Sequence, residues 1–213
     1  MNNIESSLIK TITESDLSSV VRDVSEIGLD SILKDGLAKE IPVLSTIIGV
    51  VKTGGAIRDY LYFKKLYRFL SSLNEISPNV RQEFVEKLGN TQEEREKSGE
   101  NLLLIIDRLD NVNKPEILGY MFADYLQGVL SKSDFMLLAK SLELFNLELT
   151  VNIINYYSQN NEQSTDDILQ SFAMCGLVGM VFGSGGGFGG HAGGFRKNKL
   201  GELFVGYINL NVK

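Results

Sequence analysis

From residue 4 to about residue 174, apolar side chains return every three to four positions and proline is rare, the pattern of packed amphipathic helices. Ser15 is placed to cap a helix through Leu17, Val20, Val21, Val24 and Ile27, with Gly28 as its stop. A shorter helix around Ile32 and Leu33 follows and ends near Gly36. In IPVLSTIIGVVKTGGAIRDYLYFKKLYRFLSSL, a small, apolar first half meets a basic, aromatic second half across Gly54 and Gly55, where a break or kink is expected. Across residues 57–73, Ile57, Leu61, Leu66 and Leu70 form one stripe with Arg58, Lys64, Lys65 and Arg68 to its sides. That arrangement is a basic amphipathic helix.

Ser77-Pro78 opens the next helix with proline at its first position; Phe84, Val85 and Leu88 supply its buried side, and Gly89-Asn90 ends it. The polar TQEEREKSGE reads as the exposed first turns of a longer helix that continues through NLLLIIDRLDN, with Thr91 as cap and acidic residues at its positive end. Further helices are expected at about 114–130, 133–146 and 147–159, joined by turns short enough to make them antiparallel neighbours. After Asn160 the pattern becomes a short helix, an apolar strand, a glycine loop, a second strand and a final helix. Between Gly183 and Gly194 eight of twelve residues are glycine, too few side chains to pack, so this stretch is read as a loop. The expected fold class is mainly α: an antiparallel helical body at 1–130, then a domain at 131–213 carrying a small β-hairpin, with a boundary near 160 as the alternative.

Composition places the chain among ordered globular proteins, since apolar residues make up 43% and charged residues 23%. The single cysteine, Cys175, has no partner within the chain, and the opening MNNIESSLIK is no basic-then-apolar secretory leader, so a cytoplasmic address is expected. The longest apolar run, Ile41 to Val51, is far shorter than the roughly 20 residues a spanning helix needs.

The net charge of −6 is uneven: residues 41–70 sum to +4 and residues 175–213 to +3, while the other segments are acidic. Two basic islands do not make the broad basic face that releases counterions from a nucleic acid, so nucleic acid is a disfavoured partner.

Catalytic chemistry finds little support. His191, the only histidine, lies in the glycine loop, where no packed neighbour would hold it for a triad. One His and one Cys cannot supply a zinc site of the usual kind, and Cys175 reads as a small buried residue. Gly185, Gly187 and Gly190 match the spacing of the dinucleotide fingerprint, but no helix opens after them to face a pyrophosphate. Asp107, Arg108 and Asp110 read as a solvated helix face or ion pairs. The expectation is therefore no catalytic residue, no metal site and no cofactor.

DDILQSFAMCGLVGMVFGSGGGFGGHAGGFRKNKLGELFVGYI resembles the second half of a winged-helix domain. The matching pieces are the helix to Cys175, the turn Gly176-Leu177-Val178, a strand to Phe182, the glycine-rich wing 183–194, a strand from Phe195 to Lys199, and a helix opening Leu200-Gly201. In that family the helix corresponding to Thr165–Met174 reads DNA. Here it carries Asp166, Asp167, Gln170 and Ser171, and its carboxylates would repel phosphates, so the resemblance implies protein docking before DNA binding. IPVLSTIIGVVKTGGAIRDYLYFKKL resembles stretches of uncharacterised bacterial proteins, some of them linked to phage defence.

The leading expectation is a non-enzymatic bacterial interaction or regulatory protein with a protein partner, self-association being open. Arg58, Lys64, Lys65 and Arg68 would form a patch for an acidic partner, and Phe188, Arg196 and Lys197 would act on the wing. The first alternative is a membrane-acting defence effector that exposes residues 41–70 to a membrane surface. The second is a DNA-binding transcriptional regulator.

Overall fold

In the computed structural model, residues 4–14, 17, 41–52, 57–89, 91–158, 165–181 and 194–209 are described. The first of these stretches forms α1 (Ile4–Glu14), which buries Ser7, Leu8, Thr11 and Ile12 along one face. The Thr11 hydroxyl donates to the Ser7 carbonyl at 2.8 Å and accepts the Val43 backbone N–H at 3.1 Å. It thereby satisfies an otherwise orphaned donor in the first turn of α2 (Pro42–Lys52). The helices expected from Ser15 to Gly36 and the break at Gly54-Gly55 lie outside the described residues.

After α2 come α3 (Ile57–Ser71), α4 (Pro78–Leu88), α5 (Gln92–Arg108) and α6 (Lys114–Leu126). Ser77 accepts the Val80 N–H ahead of Pro78. Thr91 and Glu94 form a reciprocal capping box that starts α5 as one continuous helix through the polar stretch. The side chains of Phe84 and Val85 lie outside the described residues.

The chain divides into two compact units, Met1–Ser131 and Lys132–Lys213. In the first, α1 packs on α2, α4 and α5, while α3 packs on α2, α5 and, most extensively, α6. The α3–α6 crossing is close because both surfaces are small there: a β-carbon at Gly119 would lie 2.6 Å from the Ser72 β-carbon and 2.8 Å from the Phe69 carbonyl oxygen. The Ser72 hydroxyl donates across the crossing to the Glu116 carbonyl at 3.0 Å.

On α3 the buried side is Phe63, Leu66, Tyr67, Phe69 and Leu70, joined by Leu73 in the following turn, whereas Leu61 is 41% exposed. The wide aromatic face reaches neighbours on both sides of the helix, so the single stripe through Leu61 is too narrow a description. Ile41, Val43, Leu44, Ile47 and Ile48 are buried in the same core. No described helix is long and apolar enough to cross a membrane.

The second unit contains α7 (Lys132–Leu144), a 3₁₀ turn (Leu147–Leu149), α8 (Thr150–Ser158), α9 (Asp166–Met174), β1 (Val178–Val181), β2 (Gly194–Lys197) and α10 (Lys199–Asn209). Its core joins Phe145, Phe172 and Phe204, with ring centroids 6.1 Å apart for the first pair and 5.1 Å for Phe145–Phe204. Each is almost wholly buried and contributes about 1.5–3 kcal/mol of apolar burial. β1 and β2 pair antiparallel, Val178 opposite Lys197 and Val181 opposite Gly194. The described residues are thus mainly helical with one small two-stranded sheet.

Candidate docking surface of the C-terminal unit

The hairpin is held at its open end by a hydrogen-bonded clamp that begins where α9 stops. Gly176, at φ +76°, donates to the Ala173 carbonyl while Leu177 N–H donates to Phe172, both at 2.9 Å. This Schellman turn needs the left-handed backbone that glycine adopts freely, and it aims the chain into β1. The Tyr157 hydroxyl then donates to the Leu177 carbonyl, just before β1, and accepts the Asn198 N–H at 3.2 Å, just after β2. One phenol therefore ties together the two strands' inner ends.

Asn198 extends the clamp. Its amide nitrogen donates to the Gly176 carbonyl at 3.0 Å, and its amide oxygen accepts the Gly201 N–H at 2.8 Å, capping α10. Gly201 has no room for a side chain, because a β-carbon there would collide with the Tyr157 hydroxyl and the Leu177 carbonyl. Burial pushes the Tyr157 phenol above its ordinary pKa, the Asn198 backbone bond opposing that shift. The hydroxyl accordingly works as a neutral donor and acceptor.

On this support the hairpin presents a mixed surface. Lys197 Nζ donates to the Tyr157 carbonyl at 3.2 Å and lies 5.8 Å and 6.0 Å from the Tyr156 and Tyr157 ring centroids. Arg196 is exposed and its stem lies across Gly179, its partner on the opposite strand. Met180 and Val181 on β1 and Met174 at the end of α9 are large apolar side chains open to solvent. Of the wing residues named from sequence, Arg196 and Lys197 are consecutive on β2 and so face opposite sides, whereas Phe188, like His191, lies outside the described residues. Cys175 is buried and, as the chain's only cysteine, forms no intrachain disulfide.

Two of the four α3 cations are engaged within their own unit. Lys65 Nζ donates to the Asp107 carbonyl at 2.7 Å, near the C-terminal end of α5, where a positive charge is favoured. Arg68 donates through Nη1 to the Asn113 side chain, while its Nε is buried without a hydrogen-bond partner. Lys64 is half-buried, and the side chain of Arg58 lies outside the described residues. Sequence spacing gave these four cations a common helix, but not the carbonyl and amide that two of them bond.

Two charged side chains missed by sequence reasoning are almost wholly buried. Arg81 donates through Nη1 to the Ile12 carbonyl at 3.0 Å and through Nε to the Ile76 carbonyl at 3.1 Å, placing a cation at the C-terminal end of α1. Lys114 meets Asp110 at 2.7 Å. Asp110 itself is largely exposed, so the ion pair reaches from the core to solvent.

The described residues of the N-terminal unit also border open grooves. One, of about 550 Å³, is bordered by Ser6, Lys10, Gln82, Gln92, Arg95 and Glu96. The Ser6 hydroxyl at 2.6 Å and the Gln92 amide at 2.9 Å both donate to the Glu96 carboxylate, which lowers its pKa. Another, of about 460 Å³, gathers Glu5, Glu100 and Asp107 near Tyr62, whose phenol is pushed upward by burial and then by the carboxylates of Asp107 and Glu5. Among the described residues, no group of three or more His, Cys, Asp or Glu side chains is arranged to hold a metal ion. Comparison with protein-family models, curated proteins and solved structures gives no match to this chain.

Proposed function

We propose that the C-terminal unit is a winged-helix-like docking module, and that the chain is a non-enzymatic regulatory or assembly protein acting through a protein partner. Among the described residues, the order of three helices, two antiparallel strands and a closing helix supports the winged-helix reading. The observation that carries the docking reading is the clamped hairpin. Tyr157, Asn198 and Gly201 hydrogen-bond or pack at its base, while Met174, Met180 and Val181 remain solvent-facing and Val181 shares a strand face with Arg196. A rigid support bearing apolar and cationic side chains suits a protein surface, because apolar anchors supply affinity and charged neighbours supply specificity.

DNA recognition is less well supported. The first turn of α9 exposes Asp166 and Asp167, a poor match to phosphates. Release of the apolar α2 segment to a membrane would have to break the core containing Val43, Leu44, Ile47 and Ile48.

The test is affinity capture from the native host with the intact chain and with Met174→Asp and Met180→Asp variants. Both positions are exposed, so each variant should keep the wild-type circular dichroism. The expected outcome is a partner captured by the wild-type chain and lost from both variants. Capture that ignores both substitutions would reject the hairpin as the docking surface.

A further inference from the structure

Gly179 and Arg196 face each other across the hairpin, and the absence of a side chain at one leaves room for the stem of the other to lie across it. A β-carbon on Gly179 would lie 3.2 Å from Arg196 Cγ, 3.2 Å from Nε and 3.8 Å from Cδ. The arginine stem therefore lies flat over the glycine, and any larger residue there would push it away. Val181 and Gly194 fall on the same face by strand alternation, so the guanidinium stands beside an exposed apolar side chain.

Among the described residues, no hydrogen bond or ion pair holds that guanidinium. The electrostatic setting is one-sided as well: from Ile168 to Gly201 the sequence contains no Asp or Glu, while Arg196, Lys197 and Lys199 lie within four positions. Lys197 lies on the opposite face and donates to the Tyr157 carbonyl, so Arg196 is the strand's cation on this face. A planar guanidinium matches a carboxylate through two parallel hydrogen bonds, a geometry lysine cannot reproduce.

We infer that Arg196, lying across Gly179, is the anchor for a carboxylate-rich, partly apolar segment of the protein partner. This rests on the docking function proposed above and names the chemistry of its ligand. The apolar neighbour Val181 favours an acidic peptide over a phosphodiester chain, which would leave that side chain without a counterpart.

The probe is a fluorescein-labelled synthetic peptide alternating Glu or Asp with Leu or Phe, read by anisotropy against the full chain. Its controls are the same peptide with Gln and Asn at the acidic positions, and a labelled short duplex DNA. The acidic peptide should bind at least roughly tenfold more tightly than its amide twin, and Arg196→Gln should weaken it by about tenfold or more, the scale of a charge-assisted hydrogen bond. Arg196→Lys should lose several-fold despite keeping the charge. Gly179→Val should lose a similar amount by displacing the stem, with circular dichroism unchanged in all three variants. Equal binding of the acidic and amide peptides, undiminished binding by Arg196→Gln, or tighter binding of the duplex would each overturn the inference. A host partner that requires Met180 yet ignores Arg196→Gln would remove the carboxylate anchor and leave docking standing. Loss of the docking reading would instead show as capture indifferent to Met174 and Met180.

Discussion

At Tyr157, a single hydroxyl replaces what a longer loop packing would otherwise have to supply. Its removal in Tyr157→Phe leaves the Leu177 carbonyl and the Asn198 N–H without that partner, and should cost about 1–3 kcal/mol in urea unfolding followed by circular dichroism. The pH dependence has a definite sign. Burial raises the folded-state phenol above the ordinary value of 10.0. The stabilisation is thus fully present below pH 10.0 and is lost as pH rises through the higher folded value. Stability measured from pH 8 upward should fall in the wild type by a component that Tyr157→Phe lacks; parallel profiles would refute it. Arg81 makes a comparable contribution in the other unit. Arg81→Ala withdraws donors from the Ile12 and Ile76 carbonyls and opens space in the core, and should lower unfolding stability by about 3 kcal/mol.

Helix starts in this protein are written locally, whereas helix faces are not. The Thr91–Glu94 box depends on residues three apart and explains why a polar stretch continues into an apolar helix without interruption. Thr91→Ala should therefore cost about 1 kcal/mol, measurable as a shift of the urea midpoint. The buried face of α3 depends on what surrounds it. Leu66 is fully buried and Leu61 is not, although both fit a helical repeat. Leu66→Ala should cost about 2–5 kcal/mol, and Leu61→Ala should stay within roughly 0.5 kcal/mol. Equal losses at the two positions would contradict the packing. The same asymmetry applies to cations: the spacing of Lys64, Lys65 and Arg68 is visible in the chain, but the carbonyl at Asp107 and the amide at Asn113 come from more than 40 residues away.

Two compact units meet in sequence at Ser131 and Lys132, each with its own aromatic or aliphatic core. Phe172→Ala, which hollows the centre of the second core, should cost that unit about 3–5 kcal/mol. Hydrogen exchange should then accelerate for buried amides around Phe145 and Phe204 and stay unchanged around Leu102, Ile106 and Met121. Faster exchange across both sets would show instead that the units unfold as one. The chain's own order of residues determined the helical character, the helix starts at Ser77 and Thr91 and the two short strands, because periodicity and capping act over a few residues. Only the tertiary structure decided that Arg81 and Lys114 are interior, that Gly119 and Gly201 must lack side chains, and that Gly179 seats Arg196. Each of those depends on atoms brought close from another element, and the separation along the chain carries no signal of that proximity.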